Sequence, residues 1–232
     1  MSNAEGVNGG CFSDGRLLDR QRPAPQQRSY TPHSLKEVLG DAAWTRLPSA
    51  VRVRFADAAP AVDYVGEFDI VRASLLGRII AWACQVIGTP VVPRTGNNVP
   101  AIVRVGPSRR GVEWRREYRW PRHSPYLVRS TKVIGPDGTL VEELPARLCM
   151  SLDVYEEAGT LHFVSRAYYF DITIPGTRRR VRVVLPRWLS PGTTHVEHID
   201  EADGWFRFTM TVTHPHFGEL FYQTGRFHAS GG

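Results

Sequence analysis

The sequence predicts an α+β domain in which N-terminal helices pack on a large, strongly curved antiparallel β-sheet that closes, or nearly closes, as a barrel. Three observations lead there. Apolar residues recur at helical spacing in two blocks before Pro90 and at every second position after it. The alternating segments are separated by turn sequences, Pro136-Asp137-Gly138, Ala158-Gly159, Pro175-Gly176, Asp203-Gly204 and His216-Phe217-Gly218. These are too short to carry crossover helices, so neighbouring strands must run antiparallel. A sheet of about nine or ten strands curls or closes, and its inner face then encloses space. The chain has 232 residues, 42% of them hydrophobic and 22% charged. That supplies one sizeable core and excludes collagen-like, wholly disordered and disulfide-stapled chains.

Residues 1–30 mix Gly, Ser, Asn, Gln, Pro and Arg with few large apolar side chains. They are expected to form a disordered tail, because too little apolar surface is available to offset the entropy of ordering. A single globular domain is expected over residues 31–230. Ser34, with Glu37 three residues on, has the spacing of a capping box, and Leu35, Val38, Leu39, Ala42, Ala43 and Leu47 follow at helical intervals. Pro48 opens a second short helix carrying Val51, Val53 and Phe55. Val62–Val71 reads as a strand. Ser74 then caps a helix over Leu75–Ile87 whose apolar positions cover more than half its circumference, so a buried helix is expected, ended by Gly88 and Pro90. Strands follow at Ala101–Val105, Val112–Trp120, Tyr126–Ile134, Leu140–Leu144, Arg147–Tyr155, Leu161–Ile172, Arg180–Leu185, His195–Ile199, Trp205–Val212 and Glu219–Phe227.

The net charge is +6, yet 27 of the 29 basic residues are arginines, most of them lying singly along the chain, and Lys36 and Lys132 are the only lysines. This spread argues against a phosphate-tracking surface, so no nucleic-acid partner is expected. The one dense run, Arg178, Arg179, Arg180 and Arg182, reads as a solvated hairpin edge. Cys11, Cys84 and Cys149 are far apart and form no CxxC pair, and the longest apolar stretch is too short for a bilayer. A soluble cytoplasmic protein without a membrane span is expected.

Further residues carry a resemblance. Leu39-Gly40, Trp44, Leu47-Pro48 and Val51-Arg52 come first, then Gly66, Leu76-Gly77-Arg78, Gly88-Thr89-Pro90 and Glu113-Trp114-Arg115-Arg116-Glu117-Tyr118. Leu140-Val141-Glu142, Leu185-Pro186-Arg187-Trp188-Leu189-Ser190-Pro191, Phe206-Arg207-Phe208, Pro215, Phe217-Gly218, Tyr222 and Gly225 continue the pattern. From Ser34 to Phe227 the chain resembles the bacterial family catalogued as domain of unknown function 4166. The resemblance implies a self-contained domain and no particular reaction. That family occurs alone or attached to oxidoreductase domains resembling saccharopine dehydrogenase. Because this chain carries no Gly-rich dinucleotide fingerprint, the resemblance implies an oxidoreductase partner encoded separately. The stretch Asp171–Arg182 is longer and more basic than the family pattern.

The strand Val112–Trp120 puts Val112, Trp114, Arg116, Tyr118 and Trp120 on one face and Glu113, Arg115, Glu117 and Arg119 on the other. The aromatic face should point inward and carry Arg116 with it. A buried guanidinium needs a carboxylate, and Glu142 in the following hairpin is the expected partner. Tyr168 and Tyr169 share a long strand with His162 and Arg166, where a phenol facing the cavity could polarise a carbonyl. The ligand-binding candidates are therefore Trp114, Arg116, Tyr118, Glu142, Tyr168 and Tyr169. No metal or cofactor is expected. His195 and His198, three apart on a strand, point to opposite faces, while His214 and His216 flank Pro215 near a turn, and two ligands do not make a site. No G-x-S-x-G elbow is present, and apolar surroundings disfavour a thiolate at Cys84 or Cys149.

These features point to binding of a hydrophobic small molecule in a cavity between the curved sheet and the Leu75–Ile87 helix. One alternative is a cofactor-free isomerase or cyclase acting on a lipid-like or polyketide-like substrate through Arg116, Glu142 and a Tyr or His. The other is a partner domain docking on an oxidoreductase.

Overall fold

Each alternating segment of the sequence becomes a strand in the computed structural model of the chain, which describes residues 34–56, 60–83, 92–174, 176–177 and 180–230. The strands are β1 (Val62–Ala73), β2 (Gly96–Pro107), β3 (Val112–Tyr118), β4 (Tyr126–Ile134), β5 (Leu140–Glu143), β6 (Leu148–Glu157), β7 (Thr160–Thr173), β8 (Arg180–Val184), β9 (Thr193–Asp200), β10 (Trp205–His214) and β11 (Gly218–Ala229). They lie in the order β6-β5-β4-β3-β2-β1-β11-β10-β9-β7-β8, and β6 pairs again with β7. That last pairing closes ten strands into an antiparallel barrel, with β8 left as an edge. β7 serves two neighbours on one side. Its first half pairs with β9, from Leu161↔His198 to Val164↔His195, and its second half with β8, from Tyr169↔Val184 to Thr173↔Arg180. Pairing with β8 accounts for the long, basic Asp171–Arg182 stretch, whose Arg178 and Arg179 lie outside the described residues. The expected tail, residues 1–30, lies outside them as well.

The helices are α1 (Leu35–Leu39), α2 (Asp41–Arg46), α3 (Ser49–Arg54) and α4 (Leu75–Ala83). The first expected helix is split at Gly40, whose φ of 86° leaves the right-handed region. Among the described residues none of the four is long enough to form a layer of its own, so the architecture is mostly sheet and corrects the expected α+β layering. Closure of the sheet on itself replaces a helical layer as the means of hiding the inner face. Among the described residues, no helix is long and apolar enough to cross a membrane.

α3 plugs one end of the barrel. Val51 and Phe55 are buried, and the Phe55 ring packs within 5.6 Å of Trp114, Phe163 and His198. Val53 on the same helix is exposed, and Arg54 is unexpectedly buried, its guanidinium 3.5 Å over the Phe206 ring. α4 differs more from its expectation. Ser74 does cap it, accepting from the Gly77 amide at 3.0 Å, but Leu75, Ile79 and Trp82 are exposed. The face applied to the barrel is the small one, Gly77 and Ala81. A Cβ on Gly77 would stand 2.0 Å from the Leu220 carbonyl oxygen, so contact this close is possible only through glycine, and it turns the bulky side chains outward. The expected continuation of this helix to Ile87 falls outside the described residues, as does Cys84.

The half of the interior beside β1, β10 and β11 is solid. Phe68 stacks on Tyr118 at 4.8 Å and meets Phe227 and Phe208 edge-on. A void of only about 10 Å³ remains among Phe68, Arg116, Phe206 and Phe208 and their neighbours. On the other side a bulge resets the pattern of β7. Leu152 pairs with Ser165 and Ser151 with Ala167, so Arg166 is an extra residue. Before the bulge the odd positions Leu161 and Phe163 face inward; after it Tyr168 does.

Candidate functional site

The inner face of β3 carries Trp114, Arg116 and Tyr118, all buried, as its alternation predicts. On β4 the corresponding positions are Val128, Ser130 and Lys132, and on β5 they are Leu140 and Glu142. Lys132 and Glu142 are direct cross-strand partners, and Trp114 stands opposite Ser130. A charged cluster follows from this register. Glu142 accepts from Lys132 Nζ at 3.0 Å, while the nearest Arg116 nitrogen stands 4.0 Å from the other carboxylate oxygen. Arg116 donates instead to Ser130 Oγ at 3.4 Å. The expected Arg116–Glu142 pair is thus present but longer than the Lys132–Glu142 pair, which sequence reasoning missed. The signal for Lys132 was there. It is one of two lysines in an arginine-rich chain, and it shares the inward parity of Val128 and Ser130.

Burial and charge set the ionisation of this cluster. Burial alone would push the Glu142 carboxyl up, but Lys132 and Arg116 outweigh it and hold the group below the usual carboxylate range. Burial pulls the Lys132 ammonium down, opposed by Glu142. The ammonium lies 5.3 Å from the Trp114 ring centre and 5.1 Å from that of Phe163. His198, which faces the opposite side of β9 from His195 as expected, is fully buried in a cage of Phe55, Trp114, Phe163, Phe206 and Phe208. Burial, then Arg54, Lys132 and Arg116, keep its imidazole neutral far below the ordinary histidine range.

A pH prediction follows. The unfolded His198 takes up a proton near its ordinary value of 6.5, whereas the folded one stays neutral, so below that pH the unfolded chain binds more protons and stability falls as pH drops. His198 alone supplies a slope approaching about 1.4 kcal/mol per pH unit. Urea unfolding of wild type and His198→Phe between pH 7 and pH 5 should show a clearly shallower dependence in the variant; equal slopes would refute the assignment.

The tyrosines divide. Tyr118, sandwiched between Phe68 and Trp120, donates its hydroxyl to Gln223 Oε1 at 3.0 Å, and burial pushes it up to about 12. Tyr168 faces the interior with its hydroxyl 2.6 Å from Thr194 Oγ1, and burial raises it too. Tyr169 lies on the outer face, where it packs with Val133, Val141 and Cys149. Burial raises the Cys149 thiol to about 11, so it is inert as a nucleophile at neutral pH.

A cleft of about 780 Å³ joins these two faces over the barrel rim, passing Gly111, Gly135 and Pro136. Its inner wall includes Leu35, Phe55, Trp114 and Lys132, and its outer wall Val133, Val141, Cys149 and Tyr169. Arg110, ion-paired to Glu143 at 2.7 Å, and Arg182, 4.2 Å over the Tyr169 ring, mark its edge. Among the described residues none of α4 lines this cleft, which lies beneath α1 and α3 where Leu35 and Phe55 reach it. Of the predicted ligand-binding residues, Trp114 and Tyr169 line the cleft. Arg116 and Glu142 stand behind Lys132, and Tyr118 and Tyr168 are not among its walls.

The family described as Domain of unknown function (DUF4166) matches residues 47–227. The chain belongs to that family. All the cleft residues named above except Leu35 fall within the matched part of this DUF4166 domain. Comparison with curated proteins and with solved structures returned no significant match.

Proposed function

We propose that this DUF4166 domain binds a small molecule with an apolar body and an anionic end, seated in the rim cleft with its charge toward Lys132. One observation carries the reading. Two buried cations, Lys132 and Arg116, face a single carboxylate, Glu142, behind walls of Leu35, Phe55 and Trp114. A ligand carboxylate would take up the excess positive charge where little water competes for it. The cleft volume falls within the range of about 300–1,000 Å³ usual for small-molecule sites. Binding fits better than turnover, because Tyr118 and Tyr168 are shifted up and Glu142 down, away from the neutral range that general acid–base work requires.

Titration with the fluorescent fatty acid cis-parinaric acid, beside its methyl ester, tests this. The acid should saturate one site, and the ester should bind about tenfold more weakly, equivalent to about 1.4 kcal/mol. Lys132→Met should bring the acid to the level of the ester. Equal affinity of the two probes for the wild-type protein, or uptake that does not saturate, would overturn the proposal.

A further inference from the structure

The outer wall of the barrel carries a second constellation, separate from the cleft. Where β7 and β9 pair, His162 stands directly opposite Glu197, and His195 precedes Glu197 by two residues on the same face. The flanking Leu161, Phe163, Val196 and His198 are buried on the other side, so all three side chains project outward from one patch. His162 Nδ1 lies 3.0 Å from His195 Nε2 and 3.6 Å from Glu197 Oε1, and one ligand atom from each residue falls within 4.8 Å of the others. We propose that His162, His195 and Glu197 form a binding site for a divalent first-row transition-metal ion such as zinc.

Geometry supports the assignment. Donor atoms about 2.0–2.1 Å from a tetrahedral zinc stand about 3.3 Å apart, and the two measured separations bracket that value. The site is also held in place before any ion arrives. The His162 ring is buried and stacks on Tyr155 at 4.7 Å, with 7° between the planes, and the His195 ring meets its edge nitrogen to nitrogen, the ring centres 5.2 Å apart. Three groups that offer lone pairs converge with at most one imidazole proton shared between them, an electron-rich arrangement that a cation completes. Glu156 and Glu157, on the neighbouring hairpin, add negative potential at His162. Two imidazoles and one carboxylate suit zinc, cobalt, nickel or copper better than magnesium or calcium. Three protein ligands leave a coordination position for water. His195 and Glu197 are only partly buried, so the ion has a path in.

The test uses the full chain stripped of metal with a chelator. Zinc, titrated in competition with a chromophoric chelator, should bind at one equivalent per chain, and cobalt should give the visible absorption of a site with fewer than six ligands. His195→Ala and Glu197→Gln, both at partly exposed positions, should each weaken zinc at least about tenfold with thermal unfolding of the metal-free protein unchanged. Zinc should raise the unfolding temperature of the wild-type protein and not of the variants. A His214→Ala/His216→Ala variant should bind as wild type. The proposal falls if zinc binding does not saturate, if both single variants retain wild-type affinity, or if the His214/His216 variant is the one that loses it.

Discussion

Glu142→Ala is expected to remove about 3–5 kcal/mol of folding stability, a large share of the roughly 5–15 kcal/mol that holds a domain together. The carboxylate is fully buried between Lys132 at 3.0 Å and Arg116 at 4.0 Å. Its loss leaves two interior cations with no anion at hand, and the ions cannot reach water without opening the wall formed by β3, β4 and β5. Lys132→Met should cost less, because Glu142 keeps Arg116 and the methionine fills the space beside Trp114 and Phe163. Urea unfolding of the two single variants and the double variant gives the coupling between them, expected to be at least about 1 kcal/mol for groups in direct contact. A Glu142→Ala loss below that figure would mean that the carboxylate is not what balances the interior charge.

Gly66→Val is the second large effect. Gly66 on β1 and Gly225 on β11 lie beside the register shift between those two paired strands. A Cβ on Gly66 would stand 2.0 Å from the Arg226 carbonyl oxygen, and one on Gly225 would stand 2.3 Å from that of Glu67. Both obstacles are backbone, so no rotamer change relieves them, and the seam must part. Overpacking usually costs about 1–3 kcal/mol when side chains can yield; here a strand pair of a closed barrel would have to separate, so little or no folded protein is expected. Gly204→Ala is the control. A Cβ there meets nothing within 4 Å, and the residue's φ of 79° limits the cost to local turn strain of about 1 kcal/mol. Circular dichroism melts of the two variants should differ widely, and similar melts would show that the seam tolerates side chains.

The barrel was largely legible before any coordinates. All eleven strands follow from alternation and turn residues, because period two is a property of the local backbone and a half-buried sheet imposes it residue by residue. The inward face of β3, with Trp114, Arg116 and Tyr118, was readable for the same reason. α4 was misread because amphipathicity shows where apolar residues are, not which face can approach a strand. Gly77 and Ala81 form the contact, and it is their lack of bulk that decides it. The α+β expectation failed on a related point, since short helical patterns do not reveal whether a sheet will be covered or will close on itself.

Sequence alone determined the strands, their antiparallel sense, the inward guanidinium and the family. Tertiary structure decided which strand lies beside which, and with it the chemistry. Pairing of β4 with β5 gave Glu142 to Lys132. The extra residue at Arg166 put Tyr168 inside and Tyr169 outside. Pairing of β7 with β9 brought His162 to His195 and Glu197 across more than thirty positions of chain. Alternation is local and survives in any register, whereas these partnerships depend on long-range pairing and on one inserted residue, and a shift of a single position would have sent each side chain to the opposite face.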